Sequence, residues 1–195
     1  MSVKPRVAVL ISGRGSNMQA LLEAAKAPDY PAEIVLVLSN QPEAAGLAIA
    51  RGFGVTARAI PTKPFGRDRE AHERALDVVL QEQKIAIVCL AGYMRILSPW
   101  LVHRWSGRML NIHPSLLPAY KGLDTHARVL AAGETRHGCT VHLVTEGMDD
   151  GPILAQAEVP VLADDTEEIL AARVLAREHV LYPAALAKLA QSVTF

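Results

Sequence analysis

The sequence predicts an α/β fold: a doubly wound, mainly parallel sheet with helices on both faces and an antiparallel strand pairing near the C-terminal end. Three observations predict it. Through the first half, short continuous apolar runs alternate with stretches of helical composition, the pattern of strands buried on both faces and joined by right-handed crossovers. A glycine-rich segment, Ser12-Gly13-Arg14-Gly15-Ser16-Asn17, separates the first apolar run from the first helical one. After residue 135 two strand-like runs follow each other with only a turn region between them, as antiparallel neighbours do.

The elements follow in order. Arg6–Ile11 is a short apolar run and reads as the first strand, with a helix over residues 17–26 after it. Residues 34–38 form the next strand, residues 44–51 a helix, and residues 55–59 a third, weaker strand. Over residues 67–83, Ala71, Ala75, Leu76, Val79 and Leu80 recur at helical spacing. Residues 85–90 and 109–112 are the fourth and fifth strands, and residues 138–144 and 153–161 the antiparallel pair. Residues 166–181 make a closing helix. Asp165 and Glu168 have the spacing of a capping box at its start, and Pro183 marks its end.

A chain of 195 residues, half of them hydrophobic, fits a single domain over residues 1–195. Twenty basic and 20 acidic residues balance, which argues against a broad nucleic-acid-binding surface. The longest apolar stretches are far short of a membrane span, and the apolar run near the N-terminus is too short for a signal peptide. Cys89 and Cys139 lie inside apolar runs and read as reduced structural thiols of a cytoplasmic protein.

The chemistry concentrates in Asn111-Ile112-His113-Pro114-Ser115-Leu116-Leu117-Pro118 and in Met148-Asp149-Asp150-Gly151-Pro152. Asn111 and His113 are two apart, so on an extended strand their side chains share a face. An amide donor, a titratable donor and a rigid exit loop at a strand's end fit acyl transfer. A loop whose Asn and His only satisfy backbone groups fits the octapeptide equally well. The glycine segment is neither a Walker loop nor a complete dinucleotide fingerprint. At the mouth of a helix it suits a phosphate monoester, with a simple tight turn as the alternative. None of the seven histidines has a zinc spacing with cysteines, so no metal is expected. His137 and His142 read as a structural pair with one ring facing the core, and His72 and His103 as solvated. The side chain of Arg95 suits ligand binding and a salt bridge about equally.

Five segments, taken together and in order, resemble the phosphoribosylglycinamide formyltransferases, the folate-dependent glycinamide ribonucleotide transformylases of purine synthesis. They are residues 10–17, residues 90–98, residues 110–118, His137-Gly138-Cys139-Thr140-Val141-His142 and Arg177-Glu178-His179. The resemblance implies a formyltransferase-like fold and transfer of formyl from 10-formyltetrahydrofolate to the amine of glycinamide ribonucleotide. It implies Asn111, His113 and Asp149 as the catalytic set. It implies Gly15, Ser16 and Asn17 as a phosphate cradle, with Glu178 as a further ribonucleotide contact. For the folate it implies Arg69, Met94, Arg95, Ile96 and Leu97, together with Asn111, Thr145, Glu146, Gly147, Met148 and Asp149. It also implies a cis Leu117–Pro118 bond, small-molecule partners only, and a monomer or weak homodimer.

Asp150 stands where such proteins usually have glycine, and the turn is expected to survive because Asp tolerates left-handed geometry. By residue type, Asn111 and a protonated His113 donate to the oxyanion, and Asp149 favours the imidazolium. Formyltetrahydrofolate hydrolase and other formyltransferases of the superfamily are the alternative. The hydrolase has an added N-terminal domain and the methionyl-tRNA enzyme an added C-terminal one, and neither is expected here. A non-catalytic phosphate-ligand sensor is the reading from another class, and the intact Asn111, His113 and Asp149 argue against it.

Overall fold

The computed structural model describes residues 4–192. Seven strands form one sheet: β1 (Arg6–Ile11), β2 (Glu33–Ser39), β3 (Thr56–Ala59), β4 (Ile87–Leu90), β5 (Met109–His113), β6 (Arg136–Leu143) and β7 (Ile153–Pro160). Their order is β3-β2-β1-β4-β5-β6-β7. The first five run parallel, and β6 and β7 add to the edge antiparallel. The helices are α1 (Ser16–Ala24), α2 (Ala45–Gly52), α3 (Arg69–Glu82), α4 (Pro99–Arg104), α5 (Thr125–Ala131) and α6 (Glu167–Ser192). The predicted doubly wound class and its antiparallel pair are therefore observed.

Alternation along the strands splits the core into two layers. Val7, Val9 and Ile11 of β1 pack with Met18 and Leu21 of α1, Leu47 of α2 and Leu186 of α6. Ala8 and Leu10 face the other way, onto Leu76 and Leu80 of α3 and Leu101 of α4. Both faces of β1 are thus apolar, which is why it reads as a continuous run. On β5, Leu110 and Ile112 belong to the first layer and Met109 to the second. By the same period of two, Asn111 and His113 project to the α3/α4 side.

Several expectations are corrected. The closing helix does not stop at Pro183; α6 runs 26 residues through it. Proline deletes one backbone donor there, but Tyr182, Ala185 and Leu186 around it are buried, and the Tyr30 hydroxyl donates to the Pro183 carbonyl at 2.7 Å. Packing thus outweighs the local break. The capping box is also displaced. The Asp165 carboxylate pairs with Arg173, so Thr166 Oγ1 accepts the N–H of Ile169 instead. His72 is fully buried rather than solvated, because the β3–α3 connection folds over it and the Ile60 carbonyl lies 2.8 Å from its Nε2. His137 and His142 are both buried, not one of the two. In the turn after β6 the residue with positive φ is Asp149, at 49°, not Asp150. The exposed Asp150 carboxylate pairs with Lys121. The Leu117–Pro118 bond is cis.

Candidate active site

In this strand order β1 lies between β2 and β4, so the chain switches direction across the sheet at β1. Open α/β sheets leave a crevice at the strand ends beside such a switch. The loops after β1 and β4, the end of β5 and the turn between β6 and β7 supply most of the predicted residues, with Arg69 on α3 and Glu178 on α6.

The loop after β1 is tight. Gly15 precedes α1 with φ 74°, and a Cβ there would stand 3.1 Å from Met18 Cε and 3.4 Å from Gly46 Cα. Gly46 of α2 in turn donates its N–H to the Gly13 carbonyl at 3.1 Å. Ser16 and Asn17 open α1, where free N–H groups favour an anion. Asn17 Nδ2 donates to Glu178 Oε2 at 2.7 Å. Burial raises the Glu178 carboxyl above its ordinary value, against the opposing effect of that bond. Gly15, Ser16, Asn17 and Glu178 are therefore one cluster, assembled from residues far apart in the chain.

Asn111 and His113 share one face of β5. The His113 Nε2 lies 2.9 Å from the Tyr120 carbonyl. That oxygen only accepts, so Nε2 carries the hydrogen. Nδ1 then faces Asp149 Oδ2 at 3.4 Å. Asp149 Oδ2 also accepts the Gly122 N–H at 2.9 Å, and Oδ1 lies 3.7 Å from His142 Nε2. Burial pushes the Asp149 carboxyl up, but the facing His142 ring, the Gly122 N–H and the charge of His113 outweigh it and hold it below its ordinary value.

His142 is the site residue that sequence reasoning missed. Its Nδ1 lies 2.9 Å from the Leu143 carbonyl, and its Nε2 stands 3.3 Å from Asn111 Nδ2 on the side that faces Asp149. The cross-strand register, Asn111 opposite His142, makes that contact.

The remaining predicted residues lie on α3 and on the loops after β4 and β6. Arg69 is exposed in the first turn of α3, behind an Asp68 cap. In the loop after β4, Met94 and Ile96 are exposed, and Arg95 and Leu97 half-buried. Arg95 acts through its charge on His72 and Tyr93. Thr145, Glu146, Gly147 and Met148 are exposed in the turn after β6, where Glu146 pairs with His103 of α4. Among the described residues no group of three or more His, Cys, Asp or Glu can hold a metal ion.

Beside the site, His126 Nδ1 and His137 Nε2 stand 3.0 Å apart. Burial, then the charges of His126 and His113, lower the pKa of His137 from 6.5 to about 4. As pH falls below 6.5 the unfolded chain takes up this proton before the folded one does, so the contribution is complete above 6.5 and is lost toward pH 4. The protein is expected to lose up to about 2 kcal/mol from this group between pH ~7 and pH ~5. Urea unfolding of the wild type and His137→Gln at both pH values checks it; equal pH dependence in the two proteins would contradict it.

The fold and the crevice define a class: a doubly wound α/β protein with an amide, an imidazole and a carboxylate gathered at the strand ends, suited to chemistry at a carbonyl carbon. Comparison with known proteins narrows it. The family described as formyl transferase matches residues 5–186, and the chain belongs to that family. It is 45% identical over 177 residues to the phosphoribosylglycinamide formyltransferase of Escherichia coli K12, covering 91% of this chain and 83% of that one. It is 51% identical over 183 residues to the trifunctional purine biosynthetic protein adenosine-3 of Bos taurus, and spans 18% of that protein's length. The crystal structure of phosphoribosylglycinamide formyltransferase from Brucella melitensis superposes with a TM-score of 0.93 at 55% identity, covering 99% of both chains.

Proposed function

We propose that this chain transfers the formyl group of 10-formyltetrahydrofolate to the amine of glycinamide ribonucleotide, by direct attack through a tetrahedral intermediate, in de novo purine biosynthesis. The observation that carries the proposal is the pairing of His113 Nδ1 with the Asp149 carboxylate at 3.4 Å on the same β5 face as Asn111. The names of the relatives support the substrates.

The ribonucleotide phosphate lies on the N–H groups of Gly15, Ser16 and Asn17, and Glu178 contacts the rest of that substrate. The folate occupies the crevice between Met94–Leu97 and the turn carrying Thr145 to Asp149, with Arg69 at its outer end. The neutral amine attacks the formyl carbon. The oxyanion accepts one bond from Asn111 Nδ2 and a charge-assisted bond from the Nδ1 hydrogen of protonated His113, which it shares with Asp149 Oδ2 at 3.4 Å. The new C–N bond forms, the bond to folate N10 breaks, and a proton passes in net from the amine to N10. No bond to the protein forms.

The protein works in the cytoplasm as a monomer or weak homodimer, on small molecules, without nucleic acid or membrane. Its net charge of zero supports the absence of a broad nucleic-acid-binding surface. Among the described residues no helix is long and apolar enough to cross a membrane.

The test is a formyl-transfer assay with 10-formyltetrahydrofolate and three acceptor conditions: glycinamide ribonucleotide, initiator tRNA and none. Formylated ribonucleotide is expected in the first alone. Formate released equally without acceptor identifies a hydrolase instead. Gly15→Val places a side chain where φ is positive and the backbone meets the phosphate. It should raise KM for the ribonucleotide on the order of tenfold or more and leave the folate KM nearly unchanged. Equal losses for both substrates would sink the cradle.

A further inference from the structure

We propose that Ser12 is a positioning residue that couples the ribonucleotide site to the folate site, an inference that rests on the substrate assignment above. Ser12 is the first residue after β1 and begins the glycine loop. Its N–H donates to the Gly92 carbonyl at 3.1 Å. Its hydroxyl donates to Asn40 Oδ1 at 2.6 Å and accepts the Met94 N–H at 2.8 Å. The order of these bonds is fixed. The Asn40 oxygen can only accept, so the single hydroxyl hydrogen goes there and a lone pair is left for Met94. Asn40 is buried at the end of β2 and holds the hydroxyl in place.

Both loops that meet at Ser12 are otherwise stiff. The glycine loop is pressed against α2, where a Cβ on Gly46 would stand 3.1 Å from the carbonyl oxygens of both Gly13 and Arg14. The far end of the 92–98 loop is tied by the buried Glu73, which accepts the N–H of Ser98 at 2.8 Å and also its hydroxyl. Met94, at the first tie, and Ile96, between the two, stand exposed. A shift of the glycine loop on binding phosphate therefore reaches the folate loop through Ser12. A chain of hydrogen bonds with one fixed direction is strengthened by mutual polarisation. Linkage makes the coupling reciprocal.

Tetrahydrofolate and glycinamide ribonucleotide form a pair that cannot react, so their Kd values can be measured singly and together by calorimetry. In the wild type each ligand should tighten the other by the same factor, about fivefold or more. In Ser12→Ala that factor should fall to within about twofold of unity, below the usual range of such couplings. Ser12→Cys keeps the volume with a weak donor and should fall between, which serves if the alanine variant does not fold. Glu73→Gln loosens the other tie and should weaken tetrahydrofolate alone while leaving the factor intact. No coupling in the wild type, full coupling in both Ser12 variants, or an equal loss in Glu73→Gln overturns the assignment to Ser12. Failure of both ligands to bind the wild type strikes the substrate assignment instead.

Discussion

Asp149→Asn is expected to lower kcat about as much as His113→Ala, each on the order of 10²–10³-fold. The double variant should be little worse than His113→Ala alone. Asp149 is placed to act through a neighbour. One oxygen accepts the Gly122 N–H, which aims the carboxylate, and lies 3.4 Å from His113 Nδ1. The neutral His113 ring carries its hydrogen on Nε2, toward the Tyr120 carbonyl. Its protonated form adds a hydrogen at Nδ1, where the carboxylate stands. Asparagine keeps the shape and removes the charge, so the ring stays in place and its charged form loses its partner. Residues that act as a unit are strongly non-additive. KM for both substrates should stay near the wild-type value, because the lost interaction belongs mainly to the transition state. If these residues only hold a loop, each variant would instead melt lower and lose activity in proportion to unfolded protein. Fully additive losses in log kcat would mean that Asp149 works independently of His113. Steady-state kinetics of the three variants beside their melting curves decides among these outcomes.

The second large effect is expected from a residue with no side chain. Gly151 is buried in the turn between β6 and β7, and a Cβ there would lie 1.7 Å from the Leu143 carbonyl oxygen. No contact that short exists, so Gly151→Ala must displace backbone. The same Leu143 oxygen is the partner of His142 Nδ1, and Leu143 N–H donates to the Pro152 carbonyl at 2.9 Å. The displacement therefore reaches His142, and through the turn it reaches Asp149. Gly151→Ala should lower kcat on the order of 10²-fold through misplacement and stability by about 1–3 kcal/mol through overpacking. Gly52→Ala is the control: no atom lies within 4 Å of its Cβ position, and both kcat and melting temperature should be nearly unchanged. Wild-type kcat in Gly151→Ala would show that the turn does not position Asp149.

The strands were legible because β1, β2 and β4 are buried on both faces, which writes them as unbroken apolar runs. Their ends moved by a residue or two, as with the fourth strand, which begins at Ile87 rather than at residue 85. The short helices α4 and α5, of six and seven residues, carry too little periodicity to be seen that way. Ser98-Pro99 was nonetheless a readable start signal for α4, since Ser98 caps it and proline takes the first position.

At the site, the shared face of Asn111 and His113 follows from strand alternation alone. Three other features were not legible for physical reasons. The part played by His142 depends on the register of β6 against β5, which is a tertiary fact. The Tyr120 carbonyl that fixes the His113 tautomer is a backbone group, and composition says nothing of it. Which of Asp149 and Asp150 takes positive φ cannot be told from two adjacent identical residues. It emerges from the closure of the turn on Gly122 and Lys121.

The pH dependence of kcat/KM tests most directly the claim that a charged His113 donor and a neutral amine meet in this crevice. The amine must lose its proton before it attacks, and an unperturbed α-amino group does so near pH ~8. Asp149 is held below its ordinary value, so it stays ionised throughout that range. The account predicts a maximum: the rate rises as the amine becomes neutral and falls as the imidazolium is lost. A rate that still climbs above pH ~9, well beyond the ordinary histidine range, would contradict the charged donor.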